Sequence, residues 1–333
     1  VLALSEKYEI LFHTSSNFSI YELRRYGSPL LSWSSGCLER ITVFRHQYGR
    51  YSKFIYCMAP YLIFKTRNWD LQILHQFVSL PTRSENTIYK VDEDIASSWL
   101  HVGPKRPLLK RIQRITLKKA GKVVCNSEYV KSLFRDMYGL NNTCVIHPPS
   151  QSVFKKYLKK RNTILTIGAF EPMKNFDLVL KIARKLPEYE FWLVGRINDS
   201  FKDYYLRISH NRPKNVKVFA DIPPEKLKEL ILKAKVYLNT AMREPFGMTV
   251  VQAMSGGCVP VVYAEGGPFE DIVRRGKYGL YYKAPEVAAD LIKDILSNKD
   301  LFNEYSDLAK ERSKDFGFEP FKEKLLNLVA EFV

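Results

Sequence analysis

Arg243 to Val262 reads REPFGMTVVQAMSGGCVPVV: a carboxylate, a Phe-Gly turn, an apolar helix carrying one glutamine, a glycine pair and a short apolar strand. Glu244 stands in the loop ahead of a helix that begins near Met248. The first amides of a helix have no intrahelical acceptor and sit at the positive end of its dipole, so they suit a phosphate. Gly247 lets the backbone approach a ligand closely. A carboxylate placed there has two uses. It can cap the helix, or it can accept hydrogen bonds from sugar hydroxyls while the amides hold a diphosphate. Gln252, eight positions after Glu244, lies two turns into an otherwise apolar run. It must bond locally or reach a ligand. The next strand-to-helix turn, YAEGGPFEDIV, holds Gly266 and Gly267. The two glycine-bearing turns read as two walls of one anion pocket.

Two further stretches carry candidate chemistry. TIYKVDEDIASSW places Asp92, Glu93 and Asp94 after a strand. Aspartates so spaced bind Mn or Mg in some transferases, and they equally suit an acidic loop or a helix cap. PKRPLLKRIQRITLKKAGK has seven basic side chains from Lys105 to Lys119 and no acidic one, with Leu108, Leu109, Ile112, Ile115 and Leu117 as an apolar stripe. Such a helix can dock on an anionic membrane or hold a polyprenyl-phosphate type of acceptor, or it can pack on a core with a solvated basic face. The five cysteines are scattered with no CxxC pair, and the six histidines show no HExxH spacing. That usage fits reduced thiols and leaves no expected metal site.

The elements that must position these residues follow a regular alternation from about residue 162. TILTIGAF, YEFWLVGR, NVKVFADI, KVYLNTA and CVPVVYA read as strands, with FDLVLKIARKLP, PEKLKELILKA and MTVVQAMSGG as helices between them. Near-continuous apolar strands alternating with helices imply a parallel, doubly wound α/β sheet with helices on both faces. The first half has the same grammar in YEILFHTS, RITVFRHQ, DLQILHQFV, NTIYKV and GKVVCNS. NTCVIHPPSQSVF suits a linker near residue 150, and beyond residue 285 the chain is helical. The expected organisation is an acceptor-binding Rossmann-like domain over 1–150, a nucleotide-sugar-binding Rossmann-like domain over 151–315, and a helix over 316–333 crossing back to the first. Ligands in such sheets lie at the carboxyl ends of the strands, where strand order reverses.

At this point the run EPFGMTVVQAMSGGCVPVVYAEGGPFEDIV resembles the signature of the retaining GT-B glycosyltransferases of family 4. That signature has Glu, any residue, Phe-Gly, a second Glu eight positions after the first, then Ala-Met, Gly, Pro-Val and Gly-Gly. TIGAFEPMKNFDLVL, FWLVGR, FADIPPEKLKELILKAKVYLNTA and VVCNSEYVKSLF fall in family order, so the likeness is strong from about 121 to 333. The resemblance implies a GT-B fold of two Rossmann-like domains with C-terminal helices. It also implies a metal-independent hexosyl transfer from a UDP- or GDP-sugar with retention of configuration, to a lipid-linked, glycan or protein acceptor. Lys174, beyond Gly168, aligns with the lysine that neutralises the donor diphosphate, and Glu244 with the carboxylate gripping the transferred sugar. Phe246, Gly247 and the amides of Met248 and Thr249 would contact sugar and phosphate. Gln252 would hold the ribose, and Gly195 and Arg196 would line the base pocket. Asp92 would stand near the acceptor as a candidate base. Three departures stand out. Ala169 occupies the position of the usual Arg, for which Arg243 is a candidate substitute. Gln252 replaces the second Glu, and a neutral acceptor is weaker. The family's first strand and its Gly-rich loop have no counterpart in VLALSEKYEILFHTSS, which reads as a chain truncated upstream or completed by another segment.

The formal net charge of +17 on 333 residues implies an anionic partner or a strongly solvated surface. Nucleic-acid binding is the alternative from another class, but no helix-turn-helix, zinc or RRM signature accompanies the charge. A further alternative is a degenerate GT-B protein that binds nucleotide sugars with little activity. No run of eighteen apolar residues and no secretory leader is read. The expected location is cytoplasmic, with peripheral attachment at the inner membrane face through 105–119.

Overall fold

The computed structural model describes residues 10–14, 41–45, 72–75, 87–91, 106–150, 154 and 158–332. Asp92 and the acidic stretch after it lie outside them. The chain divides into two compact units. One holds Val1–Asn126, Lys131–Ile146 and Phe318–Val333, and the other holds Ser127–Val130 and His147–Gly317.

In the first unit, β1 (Ile10–Thr14) pairs with β2 (Ile41–Arg45) in parallel. A second parallel sheet runs β3 (Gln72–His75), β4 (Thr87–Val91), β5 (Lys122–Cys125) and β6 (Thr143–Val145). Helix α1 (Arg106–Lys119) precedes β5, and α2 (Glu128–Tyr138), whose residues 128–130 belong to the second unit, follows it. Two residues of the stripe read from the sequence of the basic helix part company. Ile115 is 45% exposed, whereas Gln113, Thr116, Leu117 and Ala120 are buried. A polar residue holds the inner face because Tyr138 donates its hydroxyl to Gln113 Oε1 at 3.0 Å, so burial leaves neither group unpaired. Arg111, Arg114, Lys118 and Lys119 are exposed. The last helix, Phe318–Ala330, packs Leu328 and Val329 on Ile88, Val124 and Ile146 of this unit.

The second unit is built on six parallel strands: β7 (Arg161–Ile167), β8 (Glu190–Gly195), β9 (Val216–Ala220), β10 (Ala234–Asn239), β11 (Val259–Tyr263) and β12 (Leu280–Tyr282). Their spatial order is β12-β11-β10-β7-β8-β9. Adjacent residues of one strand feed different cores. Ile164, Phe191, Leu193, Val236 and Leu238 join one cluster, and Leu165, Trp192, Val194 and Tyr237 join the other. This period-two alternation, apolar on both faces, is what a sheet covered on both sides requires. One face is covered by α3 (Phe176–Lys185), α4 (Lys202–Asn211) and α7 (Pro285–Ser297). The other is covered by α5 (Pro224–Lys233), α6 (Met248–Ser255) and part of α8 (Lys299–Lys314), which precedes α9 (Phe318–Ala330). Helix α3 buries Phe176, Val179, Leu180, Ile182 and Ala183, a stripe at helical spacing, with Asp177 in its first turn and Arg184 and Lys185 in its last. Each such fully buried large aliphatic side chain contributes roughly 1.5–3 kcal/mol.

The strand order decides where a ligand fits. The chain runs outward from β7 through β8 to β9, then returns to the other side of β7 and runs outward again through β10, β11 and β12. The loops leaving β7 and β10 therefore diverge from adjacent strand ends and open a crevice between them.

Candidate functional site

The two diverging loops carry Lys174 and Glu244. Lys174 ends a short 3-10 turn, Pro172–Lys174, after β7. Its carbonyl accepts from Thr240 Oγ1 at 2.8 Å, which ties the turn to the end of β10. Its ammonium donates to Glu244 Oε2 at 2.6 Å, although the two residues are 70 positions apart. Both side chains keep a solvent-facing part, 24% for Lys174 and 16% for Glu244. A cation and a carboxylate so close, partly open to water, can divide one ligand between them, with anionic oxygens on Lys174 and hydroxyls on Glu244.

Gly247 caps α6 with φ of 100°. A side chain is disfavoured in that left-handed region, and a Cβ would stand 2.8 Å from Pro268 Cγ. The Gly247 carbonyl accepts from Val250 N at 2.9 Å, so the amides of Met248 and Thr249 precede the first intrahelical bond. Beneath them Tyr237 is fully buried. Its hydroxyl lies 2.7 Å from Thr249 Oγ1 and 3.3 Å from the Ile167 carbonyl, and burial pushes its pKa above the ordinary tyrosine value. This phenol joins the end of β7 to the first turn of α6.

The glycine pair after β11 serves a different purpose from an open wall. A Cβ on Gly267 would stand 2.3 Å from the Pro245 carbonyl oxygen, and one on Gly266 2.7 Å from that of Glu244. Gly267 N donates to Glu244 O at 2.8 Å. The two turns lie backbone against backbone, so the pair fixes the Glu244 loop instead of facing an opening.

Other sequence-chosen residues distribute around this pair. Gly168 and Gly195 lie at the carboxyl ends of β7 and β8, with Gly168 N donating to Val194 O at 3.0 Å. Arg196 is exposed, and its carbonyl accepts from Phe170 N at 2.9 Å. Arg243 is not drawn to Lys174 and Glu244. Its side chain is 78% exposed and pairs with Glu265 at 3.1 Å. Phe246 is only 3% exposed and packs its ring on His147 and Phe316. Its side chain is core, so of this residue only the backbone is left to meet a ligand. Gln252 is half-buried on α6.

Three residues of the surrounding frame were missed from the sequence. Ser127 is fully buried. Its hydroxyl donates to Pro245 O at 2.6 Å and accepts from Val130 N at 3.0 Å, so it caps α2 and holds the residue after Glu244. Asp271, 4% exposed, accepts from Glu128 N at 2.7 Å and Tyr129 N at 3.3 Å, and lies 2.8 Å from His147 Nε2. Arg312 donates to the Asp271 and Ile272 carbonyls at 2.6 and 3.2 Å. The Ser127 signal was readable, a serine just ahead of Glu128 and an apolar helix. Asp271 gave none, because its donors lie more than 140 residues earlier.

Residues 150–314 match the family model described as Glycosyl transferases group 1. Among curated relatives, the GDP-Man:Man(3)GlcNAc(2)-PP-Dol alpha-1,2-mannosyltransferase of Dictyostelium discoideum is 25% identical over 229 residues, which are 62% of this chain and 45% of the relative. The Homo sapiens protein of the same name is 26% identical over 203 residues, 53% of this chain and 41% of the relative. The Phosphatidylinositol N-acetylglucosaminyltransferase GPI3 subunit of Saccharomyces cerevisiae is 25% identical over 177 residues, 48% and 39% respectively. The chain spans less than half the length of these relatives. Among solved structures, Anabaena Alr3699/HepE in complex with UDP and glucose superposes with a TM-score of 0.75 at 15% identity, covering 99% of this chain and 94% of that one. WaaG, a glycosyltransferase involved in lipopolysaccharide biosynthesis, gives 0.64 at 13% identity, covering 96% and 99%. The fold is GT-B.

Proposed function

We propose that this protein transfers a hexose from a nucleotide sugar to a lipid-linked, glycan or protein acceptor, with retention of configuration and without a metal. The observation that carries the reading is the 2.6 Å approach of Lys174 Nζ to Glu244 Oε2 at the reversal of strand order. The reaction needs stabilisation of a departing diphosphate and of an oxocarbenium-like sugar, which is mostly electrostatic work. Lys174 and the Met248 and Thr249 amides serve the diphosphate. Glu244 orients the sugar through its hydroxyls, and Gln252 accepts from the ribose as a neutral amide. Ala169 supplies no second cation, and Arg243 is engaged by Glu265, so the diphosphate rests on Lys174 and the helix amides. The names of the mannosyl- and N-acetylglucosaminyltransferase relatives support a lipid-linked acceptor. Asp92 remains the candidate base toward that acceptor.

No helix among the described residues is long and apolar enough to cross a membrane. The exposed Arg111, Arg114, Ile115, Lys118 and Lys119 of α1 support attachment to an anionic membrane surface from the cytoplasmic side. Screening UDP- and GDP-sugars for hydrolysis and transfer tests the proposal. Turnover that is lost in Glu244→Ala and indifferent to EDTA is the expected result. Binding of no nucleotide sugar would sink the enzyme reading, and EDTA-sensitive turnover lost in Asp92→Ala would point to metal chemistry instead.

A further inference from the structure

The six-stranded sheet ends at β9, which has β8 as its only sheet neighbour among the described residues. Two backbone bonds fix which of its groups face β8. Phe191 N donates to Asn215 O at 2.8 Å, and Asp221 N donates to Gly195 O at 2.9 Å. In a parallel ladder the bonding groups alternate residue by residue. Residues 215, 217, 219 and 221 therefore turn their amides and carbonyls toward β8, while Val216, Val218 and Ala220 turn theirs to the open edge. Val216 N is already taken by Pro213 O at 3.0 Å. The Val218 amide and carbonyl and the Ala220 amide face outward.

A cavity of about 610 Å³ runs along this edge, lined by Val216 to Phe219 and by His210, Arg212 and Lys214. Lys217 also lines it and is the one basic residue there that pairs with an acid, Glu190 on β8. Among the described residues no carboxylate lines the cavity. It begins at the amino end of β9, the opposite end of the sheet from the loops carrying Lys174 and Glu244, so it is not part of the donor site. Unpaired basic side chains of the segment leading into an edge strand disfavour its pairing with its own copy, because like charges would meet. The same charges favour an acidic strand.

We propose that the outer edge of β9 and its basic rim dock an extended acidic segment of a partner protein, added as a seventh strand. Main-chain bonds to Val218 and Ala220 would supply the register, and acidic side chains would meet Arg212, Lys214 and His210. This surface stands apart from the transfer reaction and holds whether or not that reaction is as described above.

The test uses the full chain and a labelled peptide alternating Glu with Val and Thr. Fluorescence anisotropy is expected to show salt-sensitive binding, weakened about tenfold in the double variant Arg212→Glu, Lys214→Glu. Hydrogen exchange at the Val218 and Ala220 amides is expected to slow on peptide addition, with donor turnover unchanged in the double variant. Three results would overturn the proposal: no binding, binding without protection of those two amides, or equally tight binding to the same residues by an oligonucleotide of matched charge. Concentration-dependent dimerisation through this edge would also overturn it, by assigning the surface to a second copy.

Discussion

Replacing Glu244 with Gln keeps the shape of the side chain and removes its charge, and the structure predicts a gain of binding from that loss. At 2.6 Å the attraction between Lys174 and Glu244 is about 1.6 kcal/mol in water and about 6 kcal/mol at the effective dielectric of a protein surface. Both groups are partly solvated, so the lower end applies, at about 1.5 kcal/mol net, the lower limit for a charged hydrogen bond. A diphosphate that engages Lys174 must weaken this pair and must also approach the Glu244 carboxylate. Glu244→Gln removes both obstacles, and 1.5 kcal/mol corresponds to about tenfold in affinity. Isothermal titration with UDP and GDP should therefore show the variant binding about tenfold more tightly than the native chain, with the difference shrinking as salt rises. Sugar transfer should fall in the same variant, because a neutral amide orients hydroxyls less strongly. If Glu244→Gln binds the nucleoside diphosphates no better than the native chain, the carboxylate does not compete for Lys174, and the reasoning is refuted.

Other outcomes follow from the same geometry. Lys174→Met should weaken nucleoside diphosphate binding by about tenfold or more and flatten its salt dependence, since a charged hydrogen bond contributes about 1.5–3 kcal/mol; unchanged titration curves would remove Lys174 from the site. Ser127→Ala frees the Pro245 carbonyl and one α2 amide, so amide exchange over 243–249 should accelerate and Ser127→Thr should restore it; identical exchange in all three proteins would show that Ser127 does not hold the loop. Asp271→Asn disturbs a buried acceptor of two amides and should cost about 1–3 kcal/mol, read as a fall in melting temperature of several degrees; an unchanged melting curve would contradict the assigned bonds. Gly247→Ala forces a Cβ into the left-handed region and toward Pro268, costing roughly 1–2 kcal/mol and lowering donor affinity; a variant equal to the native chain in both would deny the strain.

Much of the second unit was legible because its information is local. TILTI, FWLVG and VYLN are apolar runs that belong on both-sided strands, and FDLVLKIARK shows its buried stripe in its own spacing. Gly247 could be singled out as a glycine just ahead of a helix start, and the structure adds that it stands there in the left-handed region. What a side chain does once the elements pack was not legible in the same way. Leu117 and Ile115 are both apolar, and only the neighbours of α1 decide that the first is buried and the second is not. Phe246 has the same sequence surroundings whether its ring points to a ligand or, as it does, into His147 and Phe316.

The amino-acid order by itself determined the alternation of strand and helix, the glycine-marked turns and which residues had the chemistry to serve an anion, since each depends on propensity and spacing within a few residues. The tertiary structure decided the rest. Strand order placed Lys174 against Glu244, loop packing turned Gly266 and Gly267 onto the neighbouring turn, and the first turn of α2 gave Asp271 its distant amides. Those relations join residues far apart along the chain, and a hydrogen bond or an ion pair depends on distance in space, which no local spacing specifies.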